Sequence, residues 1–178
     1  HILVALVENK PGVLARVAGL FRRRNFNIDS LTVGTTEDPS VSRMTMVIDS
    51  TATDASAVER NLYKLINVLY VQDVTNEPSV IRDLAMVKVS AGPENRGEIL
   101  QLVDIYKARI VDVGQQTMIV ELTASPSKVD QFVQLLEPFG VREMVRTGLI
   151  AMKRGDEPMF QEETDEHARG EWRVLNTN

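Results

Sequence analysis

Two stretches of this chain have the same order of apolar patterns, and this repeat constrains the fold more than any other feature of the sequence. In residues 1–76 the patterns predict a strand, a helix, two strands, a helix and a strand, and residues 84–154 repeat that order. The order β-α-β-β-α-β is typical of the split βαβ, or ferredoxin-like, unit. We therefore predict an α+β protein of two consecutive ferredoxin-like modules, with residues 77–83 as the linker between them.

Local signals place the elements of the first module. Helical spacing of apolar residues predicts a helix over Val13–Arg24, and strict alternation predicts a strand over Val41–Asp49. Ser56 and Glu59 have the spacing of a capping box, which marks the start of the second helix. The apolar stripe of that helix extends to Ile66, so the helix is expected to bury Ile66 as well.

The second module is predicted from the same kinds of signal. Its first strand is Leu84–Ala91, and a helix over Pro93–Tyr106 follows at once. Ser125 and Pro126 are typical of the N-cap and first helical position of its second helix. A single long strand, Val141–Met152, is predicted to complete the module.

The net charge of −5 is concentrated at the C-terminal end of the chain. Residues 155–178 contain seven acidic and two basic residues, so the remainder of the chain is neutral. This acidic tail has no apolar periodicity, and we predict that it is disordered. A neutral body lacks the basic surface that attracts nucleic acid, and the predicted central strands carry no aromatic platform for bases. We therefore expect no nucleic-acid partner.

The residue types on which most catalytic sites depend are scarce. There is no cysteine, and the two histidines, His1 and His167, lie near the two ends of the chain. A thiol nucleophile, a disulfide and a transition-metal site built on cysteine or internal histidine are therefore excluded. No apolar run approaches the ~20 residues of a membrane-spanning helix. We expect a non-catalytic cytoplasmic protein that binds neither metal nor membrane.

The turn between the first strand and the first helix has the composition of a ligand-binding loop. Asn9 and the pair Pro11-Gly12 separate the strand from a helix that starts at Val13. The N-terminus of a helix offers unpaired N–H groups and a favourable dipole to an anion such as a carboxylate. Asn9 and Asn27 could add amide donors and acceptors. The alternative is that both asparagines satisfy turn backbone and that Pro-Gly only shapes the turn.

Longer motifs resemble a known family. The stretch "VENKPGVLARVAGLFRRRNFNIDSLTVG" resembles an ACT domain, the ferredoxin-like module that binds amino acids and regulates metabolic enzymes. "NKPGVLARVAGLF", "NFNIDSLTVG" and "EDPSVSRMTMVI" together resemble the regulatory (small) subunit of acetohydroxyacid synthase, also called acetolactate synthase. "VIRDLAMVKV" and "ARIVDVG" extend the likeness into the second module. The resemblance covers roughly residues 1–154 and leaves out the acidic tail.

This resemblance implies a non-catalytic regulatory subunit. Such a subunit binds and activates the catalytic (large) subunit of acetohydroxyacid synthase and confers feedback inhibition by a branched-chain amino acid, of which valine is the favoured candidate. Thiamine diphosphate, magnesium and FAD are expected on the catalytic partner, and no cofactor is expected on this chain. The positions that match the effector region of the family are Asn9, Gly12, Val13, Leu14, Asn27 and Ile28.

The resemblance also implies a homodimer. Two ACT modules are expected to pair side by side, with each effector site between the first loop and helix of one chain and the partner chain. The second module departs from the motif, because Glu94 stands where an anion would bind, and it is not expected to bind the same ligand. The alternatives are a stand-alone ACT-type amino-acid-sensing module that regulates another enzyme, and a purely structural dimer.

Overall fold

The computed structural model describes residues 1–49, 51 and 54–159. The predicted acidic tail lies almost wholly outside the described residues. The chain forms two compact units, one of His1–Val80 together with the residues from Ala151 onwards, and one of Ile81–Ile150. Among the described residues there are two antiparallel sheets, one of four strands and one of five, each with two helices, so the prediction of two consecutive ferredoxin-like modules is confirmed.

The first module has the order β1-α1-β2-β3-α2-β4. Its elements are β1 (Ile2–Glu8), α1 (Val13–Arg24), β2 (Ile28–Thr35), β3 (Val41–Ile48), α2 (Ala55–Leu62) and β4 (Val68–Asp73). The strands lie in the sheet in the order β2-β3-β1-β4, so β2 forms one edge of the sheet. The bounds of α1 agree with the prediction from helical spacing.

Alternation along β3 separates its two faces. Met44 and Met46 are 1% and 0% exposed and belong to the core between the sheet and the helices, as the alternating pattern indicates. On the opposite face Thr45 is also buried. There the Nη2 atom of Arg43 donates to the carbonyl oxygen of Ala151, at 2.6 Å. Ala151 belongs to the same compact unit as Arg43, so this hydrogen bond lies within the first unit.

The second module repeats the order with one additional strand. Its elements are β5 (Ser79–Ser90), α3 (Arg96–Tyr106), β6 (Arg109–Val113), β7 (Thr117–Ala124), α4 (Pro126–Leu136), the 3-10 turn Glu137–Phe139, β8 (Val141–Arg146) and β9 (Ile150–Lys153). The sheet order is β6-β7-β5-β8, and β9 also pairs with β5. Ser125 is the N-cap of α4 and Pro126 its first residue, as predicted.

Two boundaries differ from the predictions in this region. Strand β5 begins at Ser79, so residues 79–83, which were predicted to be linker, belong to a strand. The single strand predicted over Val141–Met152 is divided in two by a turn at Gly148, whose φ is 88°. At Gly148 the left-handed backbone forms a turn that changes the direction of the chain, and the strand is interrupted there.

The second helix of the first module also differs from the prediction. Asp54, and not Ser56, is the N-cap of α2, and its carboxylate accepts the backbone N–H of Ser56 at 3.0 Å. The prediction of a capping box formed by Ser56 and Glu59 is therefore wrong. The helix ends at Leu62, and Ile66, beyond its end, is 75% exposed. No helix among the described residues is long and apolar enough to cross a membrane.

Candidate functional site

The turn after β1 is held against the β2–β3 turn. The backbone N–H of Asn9 donates to the carbonyl oxygen of Ser40 at 2.7 Å, and the side-chain Nδ2 of Asn9 donates to the carbonyl oxygen of Pro39 at 2.9 Å. One N–H of the Asn9 amide is thus used to satisfy turn backbone, as the structural alternative predicts. The exposed Asn9 side chain keeps a second N–H and an acceptor for other partners.

Gly12 is the N-cap of α1 and has a left-handed backbone with φ 83°. A glycine N-cap provides no side-chain acceptor, and in this part of the described chain the backbone N–H groups of Leu14 and Ala15 have no acceptor. A Cβ atom built on Gly12 would meet nothing within 4 Å. The N-terminus of α1 is therefore open to solvent and able to accept an anion.

Val13 and Leu14 differ in their exposure at this helix start. Val13 is 4% exposed and packs into the core, so its side chain anchors the helix rather than facing a ligand. Leu14 is 47% exposed and offers an apolar surface beside the free N–H groups. The local arrangement thus combines donors for a carboxylate with an apolar neighbour.

Asn27 and Ile28 lie at the other end of the sheet. Ile28 pairs with Ile48 on β3, whereas Glu8, next to Asn9, pairs with Val41 at the opposite end of the same strand. Seven residues of extended chain separate the two ends by about 20 Å. Within one protomer the structure therefore does not bring Asn27 and Ile28 together with the other four predicted residues.

The side chain of Asn27 has a local partner. Its Nδ2 donates to Oδ1 of Asp29 at 3.0 Å, and the residue is exposed. Ile28 is half-buried and packs against the core of the first module. A role for these two residues in the same site as Gly12 therefore requires a second copy of the chain.

The sequence patterns gave no reason to select a group of polar residues that surrounds the start of α1. Asn67, only 8% exposed, precedes β4, and its Nδ2 donates to Oε2 of Glu8 at 2.5 Å. Its Oδ1 accepts Nη1 of Arg16 in the first turns of α1, at 2.6 Å. Lys10 donates to the other carboxylate oxygen of Glu8 at 3.2 Å. We call Glu8, Asn67 and Arg16 the Asn67 bridge.

The Asn67 bridge favours the charged form of Glu8. The hydrogen bonds from Asn67 and then from Lys10 hold the pKa of the Glu8 carboxyl below its usual range. The Glu8 carboxylate accepts bonds from Asn67 and Lys10, and α1 has no acidic residue in its first turn. The polarity of the helix start remains positive, which suits an anionic ligand.

The corresponding turn of the second module has the opposite character. The Glu94 carboxylate packs so closely over Gly92 that a Cβ atom there would clash with it, and Glu98 places a second acid in the first turn of α3. Arg96 donates to the carbonyl oxygens of Ala91 and Gly114, both at 2.8 Å. The turn is thus closed by its own side chains, and two acids disfavour an anion there.

Comparison with known proteins defines the class of each module. Residues 3–70 match the family profile described as an AHAS small subunit-like ACT domain, and residues 82–155 match the profile for the small subunit of acetolactate synthase. The first module is thus an ACT domain, and the two matches together cover most of the chain.

Individual relatives are similar to this chain in sequence along almost their whole length. A probable acetolactate synthase small subunit from Archaeoglobus fulgidus is 51% identical over 156 residues, which are 88% of this chain and 98% of that protein. The acetolactate synthase small subunit of Mycobacterium leprae is 45% identical over 87% of this chain and 92% of its own length. The crystal structure of the small subunit from Thermotoga maritima superposes with a TM-score of 0.81 at 41% identity, covering 88% of this chain and 98% of that one. The chain belongs to the acetolactate synthase small-subunit family.

Proposed function

We propose that this chain is the non-catalytic regulatory subunit of an acetolactate synthase. It binds the catalytic large subunit, raises its activity, and confers feedback inhibition by a branched-chain amino acid, with valine as the favoured effector. The observation that carries the proposal is the match of both modules to proteins named as small subunits, over 98% of the length of one of them. Thiamine diphosphate, magnesium and FAD belong in this proposal to the catalytic partner.

The start of α1 is the proposed binding site for the effector. The free N–H groups of Leu14 and Ala15 suit the ligand carboxylate, and the remaining amide groups of Asn9 suit its ammonium or carboxylate. The exposed Leu14 side chain supplies an apolar contact for a branched side chain.

The remaining part of the site is proposed to come from a second copy. Strand β2 is an edge strand, and an antiparallel pairing of β2 with the β2 strand of a second copy reverses its direction across the two-fold axis. The Asn27 end of the second copy then lies at the same end of the combined sheet as Gly12. This pairing reconciles the separation of about 20 Å within one protomer with a single effector site.

The first experiment titrates the purified chain with valine, isoleucine and leucine by calorimetry and repeats the titration on acetolactate formation by the reconstituted complex. Binding of at least one of them, together with activation of the catalytic subunit, is expected. A chain that binds none of the three would be left with a structural role. A chain that binds one of them without activating the catalytic subunit would be a stand-alone sensing module.

The second experiment tests the shared site by mixing variants. Gly12→Asp damages the helix side of the site and Asn27→Ala damages the strand side, so homodimers of either variant are expected to lose sensitivity to valine. In a mixed dimer one site carries both changes and the other carries neither. Mixing the two variants is therefore expected to restore sensitive sites, whereas a site built within one chain would stay inactive in the mixture.

A further inference from the structure

The N-terminus of α1 has no side-chain cap of its own, and beyond the core packing of Val13 its position is held by polar contacts from neighbouring segments. On one side the preceding turn is bonded to Pro39 and Ser40 through Asn9. On the other side the Asn67 bridge connects the helix with the end of β1. The backbone carbonyl of Asn67 also accepts the backbone N–H of Glu8 at 2.9 Å, so this residue contacts β1 through both its main chain and its side chain.

The two ends of the Asn67 amide have different partners. Its nitrogen donates to a carboxylate and its oxygen accepts from a guanidinium, at 2.5 Å and 2.6 Å. Both are charge-assisted bonds, which are shorter and stronger than bonds between neutral groups. The burial of the residue leaves the amide little freedom to exchange these partners for water.

Arg16 connects the Asn67 side chain to helix α1. Its backbone N–H donates to the carbonyl oxygen of Gly12 at 3.0 Å, so Arg16 lies one turn after the N-cap. Helical side chains incline towards the N-terminus of their helix, and the Arg16 side chain therefore runs along the first turn towards Asn67. A restraint on the guanidinium restrains the turn that carries the free N–H groups of Leu14 and Ala15.

We propose that Asn67 is a positioning residue for the effector site, because it holds the first turn of α1 against the end of β1 through Arg16 and Glu8. The inference rests on the proposed function, since it concerns the same effector. Asn67 itself does not touch the ligand, because it is buried and both ends of its amide are bonded. Its effect on affinity is exerted through the placement of the helix N–H groups, and a pre-placed site binds more tightly than one that must be ordered.

Three variants of the full chain test this role. Asn67→Leu keeps the side-chain volume and removes both bonds, whereas Arg16→Met removes the link to α1 alone. Asn61→Leu is the matched control, because Asn61 is 9% exposed in the same module and, among the described residues, its side chain bonds only to Ala57 and Lys64, within and just after α2. Each is titrated calorimetrically with valine, and the ligand-free amide resonances of Gly12 and Leu14 are recorded by NMR.

We expect Asn67→Leu and Arg16→Met each to raise the dissociation constant for valine about tenfold, which corresponds to about 1.4 kcal/mol. The double variant Asn67→Leu/Arg16→Met is expected to lose no more affinity than either single variant, because each single change already breaks the same bridge. Both single changes shift the resonances of Gly12 and Leu14 before ligand is added, and Asn61→Leu leaves the resonances and the affinity unchanged.

The remaining outcomes overturn the proposal in distinguishable ways. A loss of affinity in Arg16→Met but not in Asn67→Leu makes Arg16 a direct ligand of the carboxylate and removes the positioning role. Unchanged affinity for valine in both Arg16→Met and Asn67→Leu also removes the positioning role. An equal loss of affinity in the control Asn61→Leu removes it too. If Asn67→Leu does not fold, the test rests on Arg16→Met. Reduced affinity together with shifted ligand-free resonances of Gly12 and Leu14 supports the proposal, and reduced affinity with unshifted resonances overturns it. A wild-type chain that binds none of the three amino acids overturns the effector proposal itself.

Discussion

Gly12 is the residue at which backbone conformation and the proposed ligand position coincide. Its left-handed φ of 83° is accessible to glycine at no cost, whereas other residues are strained there. The Pro-Gly pair predicted a turn before α1, but the sign of φ became known only from the structure. A substitution at this position therefore changes both the strain of the turn and the chemistry of the helix start.

Comparison of two variants separates these effects at Gly12. Asp and Asn have nearly the same shape, and Asn in particular tolerates a left-handed backbone. We expect Gly12→Asp to raise the inhibition midpoint for valine at least tenfold, because its carboxylate replaces the ligand carboxylate at the helix start. Gly12→Asn is expected to have a much smaller effect. The measurement is acetolactate formation across a valine titration, and equal midpoints for the two variants would show that charge is not the cause.

At the scale of elements, α4 is joined to its sheet by an arginine with two acidic partners. Arg146 on β8 contacts the Asp83 carboxylate on β5 through Nε at 2.7 Å and through Nη2, and its Nη1 contacts Asp130 on α4 at 2.6 Å. Asp83 has a side chain that is 2% exposed, whereas that of Asp130 is 55% exposed. The two ion pairs of one arginine therefore differ in their surroundings.

This difference predicts unequal costs of removing the two partners. Arg146→Met leaves the Asp83 carboxylate buried without its cation, and we expect the free energy of unfolding to fall by ~3 kcal/mol. Asp130→Asn breaks an exposed pair, and a loss below ~1 kcal/mol is expected. Chemical denaturation of the full chain measures both values. Similar losses for the two variants would contradict the assignment of Asp83 as the dominant partner.

Helix α2 provides a prediction about pH. Partial burial, followed by the nearby Asp73 carboxylate, raises the pKa of Glu59 in the folded chain. The charged form of Glu59 is thus disfavoured by folding, and its contribution to stability is lost as the pH rises from the unfolded value through the folded pKa. We expect Glu59→Gln to melt at a slightly higher temperature than the wild type at pH 7, with no difference at pH 4. A variant that is less stable at pH 7 would show that Glu59 makes a favourable contact.

At the scale of the whole molecule, the open edge at β2 predicts the oligomeric state. We expect light scattering at micromolar concentration to give twice the chain mass of 19.9 kDa, because pairing of β2 edges hides unpaired backbone groups. Val33 on β2 is 40% exposed, and Val33→Asp places like charges near the two-fold axis and should weaken the dimer. Val111→Asp, on the edge strand β6 of the second module, is the matched control. A dimer that is sensitive only to Val111→Asp would place the interface in the second module.

The sequence by itself determined most of the elements and their order, because buried faces recur with the period of a helix or a strand. The helix Val13–Arg24 and the alternation around Met44 follow from spacing alone. Contacts between distant residues depended on the tertiary structure, since strand register decides which turns share an end of the sheet. Register places Asn27 far from Gly12, and it brings Asn67 to Glu8, 59 residues earlier in the chain. No local pattern in the sequence carries that information.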